Sequence, residues 1–228
     1  FGGGYNYYSG EHFGEVIKIE GQPGFKNNNH YYHNKGIKHD FNFFTKSTFT
    51  ISKNLFGYLD LQIRNVKHSI NGRLDNGLAI SKTYKNTFFN PKAGLTYQLS
   101  KFESLYLSFA IGNKEPSRQD FTDNIGVDVK SEHLQDLEIG YKLNKNNWNL
   151  EIDLYNMKYK NQLVLTGALN DVGSAIRTNV ANSFRRGVEI IVAKKLNDKI
   201  IVEGNVTFSK NKMLNFSETI PVYSEDYK

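Results

Sequence analysis

The sequence predicts an all-β, antiparallel chain. Three observations carry this. Side chains alternate apolar and polar with a period of two along most of the chain. Short polar connections alternate with long ones. No stretch shows the spacing of an amphipathic helix of useful length.

The strands follow in order. Residues 41–51 place Phe41, Phe43, Phe49 and Ile51 on one face and Asn42, Lys46, Thr48 and Thr50 on the other. Residues 55–64 set Leu55, Leu59, Leu61 and Ile63 against Tyr58, Asp60, Gln62 and Arg64. Residues 92–99 set Ala93, Leu95, Tyr97 and Leu99 against Lys92, Gly94, Thr96 and Gln98. In 105–112, Leu105, Leu107, Phe109 and Ile111 oppose Tyr106, Ser108, Ala110 and Gly112. Residues 137–143 and 148–154 repeat the pattern, with Leu137, Ile139 and Tyr141, then Trp148, Leu150, Ile152 and Leu154. Val188, Ile190 and Val192, then Val202, Val206 and Phe208, complete about eight strands.

The connections decide the architecture. "SKN" at 52–54, "SKFE" at 100–103, "NKNN" at 144–147 and "LNDK" at 196–199 are short and polar. Between them lie long connections near 65–90, 113–134 and 158–183, rich in Asn, Gly, Asp and Lys. The units share no sequence, so they are not a repeat array. Long connections kept to one end are the pattern of a transmembrane barrel, with short periplasmic turns and long outer loops. The polar faces carry Asp60, Arg64, Lys92, Glu138, Lys142, Glu151, Asp153 and Glu203. Charge at that density suits a wet lumen and not a packed sandwich interior. The alternative is a soluble all-β carbohydrate-binding or adhesive module with one solvated face.

Composition narrows the classes. No apolar run approaches the length of a transmembrane helix, but a barrel strand needs only about 9–11 residues, half of them facing lipid. The 16 Phe and 14 Tyr suit such a barrel. The net charge of +6 is spread without a block of like charges, which argues against nucleic acid as a partner. The absence of cysteine removes disulfide frameworks and thiolate metal sites. The chain starts at Phe1 with nothing like a signal peptide, as in a mature form or an excised piece. If the short turns are periplasmic, both ends lie on the outer side, which predicts an interior slice of a bigger barrel.

Four stretches resemble one family. They are "NPKAGLTYQLSKFESLYLSFAIGNKEPSRQDFTD" at 90–123, "HLQDLEIGYKL" at 133–143, "WNLEIDLYNMKYKNQLVL" at 148–165 and "RTNVANSFRRGVEI" at 177–190. In this order they are similar to the C-terminal barrel of TonB-dependent outer-membrane receptors, especially those of Bacteroides-like bacteria. "GGGYNYYSGEHFGEVI" at 2–17 also looks like an outer strand end and loop of that group.

The resemblance implies a portion, about eight strands, of a 22-stranded barrel. The plug domain, the TonB box and a closing strand that the family carries are not in this sequence. It implies residues 1–37 as mostly extracellular loop, 38–211 as barrel strands and 212–228 as the start of another outer loop. It implies a Gram-negative outer-membrane location and import of siderophore-bound iron, haem, cobalamin or a glycan. The implied partners are outer-membrane lipid, the ligand, and TonB acting through the plug. A slice with two open edges is not expected to work alone.

Candidate sites are weaker. His30, Tyr31, Tyr32 and His33 form "HYYH" in an expected outer loop, where they are a possible iron or haem contact or plain loop composition. His12 with Tyr5, Tyr7 and Tyr8 is similar: a stacking surface or part of an aromatic belt. Arg118 and Asp120 follow Pro116 at the rim, facing ligand or plug or forming a loop salt bridge. Glu151 and Asp153 share a strand face at about 6.6 Å, a spacing near that of a glycosidase pair. They read better as lumen carboxylates balanced by neighbours such as Lys142. Asn205 and Asn215 open chance glycosylation triplets. No catalytic constellation, resident cofactor or metal is expected.

Overall fold

The computed structural model describes residues 1–22, 30–170 and 173–216. Nine strands form one antiparallel sheet in chain order: β1 (Gly2–Glu15), β2 (His30–Ser52), β3 (Leu55–Arg73), β4 (Ala79–Ser100), β5 (Glu103–Lys114), β6 (Glu132–Lys145), β7 (Trp148–Leu169), β8 (Ala175–Lys195) and β9 (Ile201–Leu214). One short helix, α1 (Arg118–Asp123), lies between β5 and β6. β1 and β9 are the two edges of the open sheet. The sequence predicts about eight strands; β1 is the addition.

The short turns fall where the sequence places them. At Lys145–Trp148 the two-residue turn is Asn146-Asn147, with φ of 52° and 64°. Both central residues of this tight hairpin need positive φ, which asparagine tolerates. At the other end the expected long connections are mostly strand. Residues 65–73 and 79–90 continue β3 and β4, leaving 74–78 as the link. Most of 158–183 likewise belongs to β7 and β8. Of the three expected long connections, 113–134 alone keeps a long non-strand segment among the described residues, at 115–131. The segment 1–37, expected mostly as loop, holds β1 and the start of β2, paired from Gly2↔Phe44 to Glu15↔His30. From residue 217 on, the expected outer loop at 212–228 lies outside the described residues.

The register sorts side chains onto two faces. Phe49, Leu95, Leu107, Ile139, Leu154, Val188 and Phe208 lie in one row across seven strands, with Gly57 between the first two. All but the partly buried Val188 are exposed, an apolar face that no other protein layer covers among the described residues. A water-facing sheet does not leave such a face open.

The opposite face is polar. Tyr106, Gly140, Asp153 and Glu189 form one of its rows, and Tyr106 donates to Asp153 across β6. Gly140 makes that reach possible, since a side chain there would collide with the Tyr106 ring. Lys142 pairs with Glu151 at 2.5 Å, as the sequence suggests. Asp136 and Asp153 each keep one buried carboxylate oxygen with no hydrogen-bond partner. The main hydrophobic core sits on this same face, at the end away from the short turns: Ile70, Leu74, Ile80, Phe121, Val129 and Leu163, with Tyr84 beside it.

Candidate ligand-facing mouth

The 115–131 segment turns inward over the polar face instead of standing off the rim. Three anchors hold it. The first is Glu115, just past the end of β5. Its carboxylate accepts from Arg64 Nη1 and Nη2 at 2.7 and 2.8 Å and from Lys38 Nζ at 2.7 Å. Arg64 is forked a second time onto Asp40, Nε to Oδ1 at 2.9 Å. One guanidinium thus joins β2, β3 and the loop, in the paired geometry that makes such bonds strong.

The second anchor is the start of α1. Ser117 and Asp120 form a capping box, and Pro116 before it is fully buried. Asp120 is 3% exposed and pairs with Arg177 of β8, Nε to Oδ1 at 3.0 Å. The third is Phe121, which fills the core and meets the rings of His68 and Tyr84. Downstream, Asn179 brackets Lys130, accepting from its amide at 2.8 Å and donating to its carbonyl at 3.0 Å. Glu132 accepts from the Leu163 amide at 2.7 Å.

Burial alone would raise the Glu115 carboxyl, but hydrogen bonds from Arg64 and Lys38 outweigh it and hold the group at about 2, against an ordinary 4.5. Depression means that the anchor is fully present above about 4.5 and is lost as pH falls through about 2. Acidification across that window is expected to speed amide exchange in 115–131, after correction for the intrinsic pH dependence of exchange. Glu115→Gln should remove the step. An unchanged profile in the unsubstituted protein would contradict the anchor.

Two clefts open beside the segment. One, of about 440 Å³, is lined by His12, Tyr32, Asn34, Arg118, Gln119 and Asp123 among others. The other, of about 550 Å³, is walled by His12, Lys38, Arg64, His68, Glu115 and Arg118 among others. His12 and Arg118 stand in both walls. Arg118 donates through Nη2 to Asn34 Oδ1 at 2.6 Å, while its buried Nε has no partner. The cation is thus held at the cleft with donor capacity unspent.

The predicted site residues divide. His12, Tyr32 and Arg118 come together at the mouth. His30 and His33 do not join them. His30 pairs with Glu15 at 2.9 Å and stacks on Phe13, and His33 contacts Glu11 at 3.4 Å. Tyr31 packs edge-on against Tyr32. The register shift at Gly14/Glu15 interrupts the alternation, so "HYYH" splits into two ring pairs, His30 with His33 at 5.4 Å and Tyr31 with Tyr32 at 5.0 Å. Among the described residues, no three His, Asp or Glu side chains converge as a metal requires. Asp120 pairs with Arg177 of β8 and not with a residue of its own loop. Lys38, Asp40, Arg64, Asn34 and Arg177 carry the site without any local motif.

A family model described as TonB dependent receptor-like, beta-barrel, matches residues 1–225. No curated protein matches by sequence. The fold is shared with solved structures of low identity. One is the ferric-catecholate import receptor Fiu of E. coli K12, in its closed form: 15% identity, TM-score 0.64, covering 92% of this chain and 34% of that one. Another is the copper transporter OprC: 14% identity, TM-score 0.67, covering 80% and 34%. A third is the ferripyoverdine receptor of Pseudomonas aeruginosa bound to ferripyoverdine: 14% identity, TM-score 0.60, covering 95% and 30%. The chain spans about a third of the length of these structures. Its apolar face is therefore the lipid face of a Gram-negative outer-membrane sheet, which sets aside the soluble module. The chain belongs to the TonB dependent receptor-like β-barrel family.

Proposed function

We propose that this sheet is part of the barrel of an outer-membrane importer for a scarce small ligand, energised by TonB through a plug. The family match over residues 1–225 carries this reading. The open edges at β1 and β9 fit a portion of a larger closed barrel. The mouth favours an anionic, oxygen-rich ligand such as a ferric chelate over a neutral glycan. Arg118 is fixed there with an unspent donor, beside His12 and Tyr32. The neighbours described as ferric-catecholate and ferripyoverdine receptors lend support to a ferric chelate.

The test is growth of a receptor-deletion strain, complemented or not, on ferric siderophores, haem, cobalamin or glycans as the limiting source. The complemented strain should gain growth on a ferric chelate. Arg118→Ala should then weaken uptake about tenfold to a hundredfold, the worth of one or two bonds to a charged group, with surface level unchanged. Rescue on a neutral glycan alone would overturn the chelate reading.

A further inference from the structure

Two histidines face the cleft of about 550 Å³ beside the 115–131 segment, and they are held differently. His12 of β1 is partly open and has the Tyr8 hydroxyl at 3.5 Å. His68 of β3 is 7% exposed. Its ring stands edge-on to that of Phe121, with 6.1 Å between centroids. Among the described residues, no hydrogen bond reaches either of its nitrogens. A buried polar ring without a partner is costly. The cleft is the open side from which a partner can come.

The charged groups around His68 nearly cancel. On β2 and β3, Lys38 and Arg64 are matched by Asp40 and Glu115. Lys38 is also the residue opposite His68 in the register. On β4 the opposite residue is Tyr84, whose hydroxyl is bonded to Ser131, and Lys82 nearby pairs with Asp128 at 3.9 Å. Lys114, at the end of β5, pairs with Glu132 at 3.8 Å. That leaves Arg118, whose printed partner is the neutral Asn34. One uncompensated cation does not balance an anion of two or more charges. In the empty protein burial, then Lys38 and Arg118, hold the His68 imidazole below its ordinary 6.5, with Glu115 opposing them.

We propose that His68 takes up a proton when a multiply charged anion enters this cleft, and becomes with Arg118 the second cationic contact to it. This rests on the reading of the mouth as taking an anionic ligand, and adds what regulates its binding. A bound anion reverses the balance at the ring. It opposes the effect of Lys38 and Arg118, and it gives the ring N–H an acceptor, which favours the charged form. The proton comes from solvent, and no bond within the ligand forms or breaks. If the anion favours the proton, the proton favours the anion to the same extent. His68 therefore sits below 6.5 when the cleft is empty and higher when it is filled. Between those two values affinity falls by up to about tenfold for each unit that the pH rises. Outside them the slope vanishes. A neutral ligand produces no slope.

The test uses the full receptor in detergent and the tris-oxalate complex of rhodium(III). That complex is an inert, oxygen-rich trianion which does not titrate over the range of about pH 5–8 in which a histidine changes charge. Calorimetry in two phosphate-free buffers of different ionisation heat counts the protons taken up. The unsubstituted receptor should take up about one at its maximum and lose about tenfold in affinity over one pH unit there. His68→Gln should take up none and show a flat profile. His12→Gln should keep the slope, whatever its affinity. Should His68→Gln not assemble, the ring nitrogen resonances of the histidine-labelled, unsubstituted receptor give the same reading: the complex should turn one buried neutral imidazole into imidazolium. Binding without proton uptake overturns the proposal. So does uptake undiminished in His68→Gln, a slope lost in His12→Gln instead, or no binding at any pH. The chelate reading is decided separately by the growth assay: it survives binding without a proton and falls on rescue by a neutral glycan alone.

Discussion

Phe121→Ala is expected to release the 115–131 segment from the barrel wall. Phe121 is 4% exposed and is the one α1 side chain inside the core formed with Ile70, Leu74, Ile80, Val129 and Leu163. Truncating a buried Phe costs about 3–5 kcal/mol, transfer and cavity together. That loss falls on one small core, not on a whole domain, so the local segment gives way before the sheet does. Hydrogen exchange should show it directly: amides 117–131 lose protection while those of β5 and β6 keep theirs. Asp120→Ala attacks the same segment independently. Breaking a fully buried pair costs about 3–5 kcal/mol; Arg177 has a 30% exposed side chain and can rehydrate, so about 2–3 kcal/mol is expected here. Both variants move Arg118 off the mouth and should lower ligand uptake tenfold or more with normal surface levels. Phe121→Leu should retain most protection. Unchanged exchange in Phe121→Ala would mean that the segment is held by its polar anchors alone.

What the sequence revealed and what it hid divide along a physical line. Alternation is strong where one face meets lipid and the other water, so Leu105 to Ile111 and Trp148 to Leu154 announce their strands. Beyond the lipid band the pattern inverts. In residues 65–73 and 79–90, β3 and β4 turn Asn65, Lys67, Ser69, Ser81, Thr83 and Lys85 outward and bury Val66, Ile70, Ile80 and Phe88 on the inner face, and this phase, opposite to that of the lipid-facing stretches, reads as loop. β1 was hidden differently, because Tyr5 and Tyr7 lie on one face and Tyr8 on the other. The Lys142–Glu151 pair was legible because both positions could be assigned to the inner face of adjacent strands. The Glu115 anchor was not. Its partners lie 51 and 77 residues away, and only the register of three strands brings them together. His12 and Arg118 were flagged as separate residues, and it takes the inward turn of 115–131 to place them at one cleft.

Leu107→Arg is expected to impair assembly of the receptor in the membrane. Leu107 lies on β5 in the row with Leu95, Ile139 and Leu154, with further apolar residues on either side at Leu105 and Phe109. That makes it a central position of the lipid face. An arginine there costs about 2–4 kcal/mol at the bilayer midplane, falling to about 0–1 near the interface. Gln135→Arg, where β6 has already passed from its apolar band to polar residues, should therefore cost little. The sharper contrast is one residue along the chain. Ser108 points to the other face, where its hydroxyl donates to Glu138 at 3.3 Å. Ser108→Arg places its charge beside that carboxylate and near Asp136 and Asp153, whose free oxygens lack partners, so it should be tolerated. Urea titration of the receptor refolded into lipid vesicles separates the three. Equal loss in Leu107→Arg and Ser108→Arg would mean that the two faces do not differ in solvent. The assignment of lipid and lumen sides would then fail.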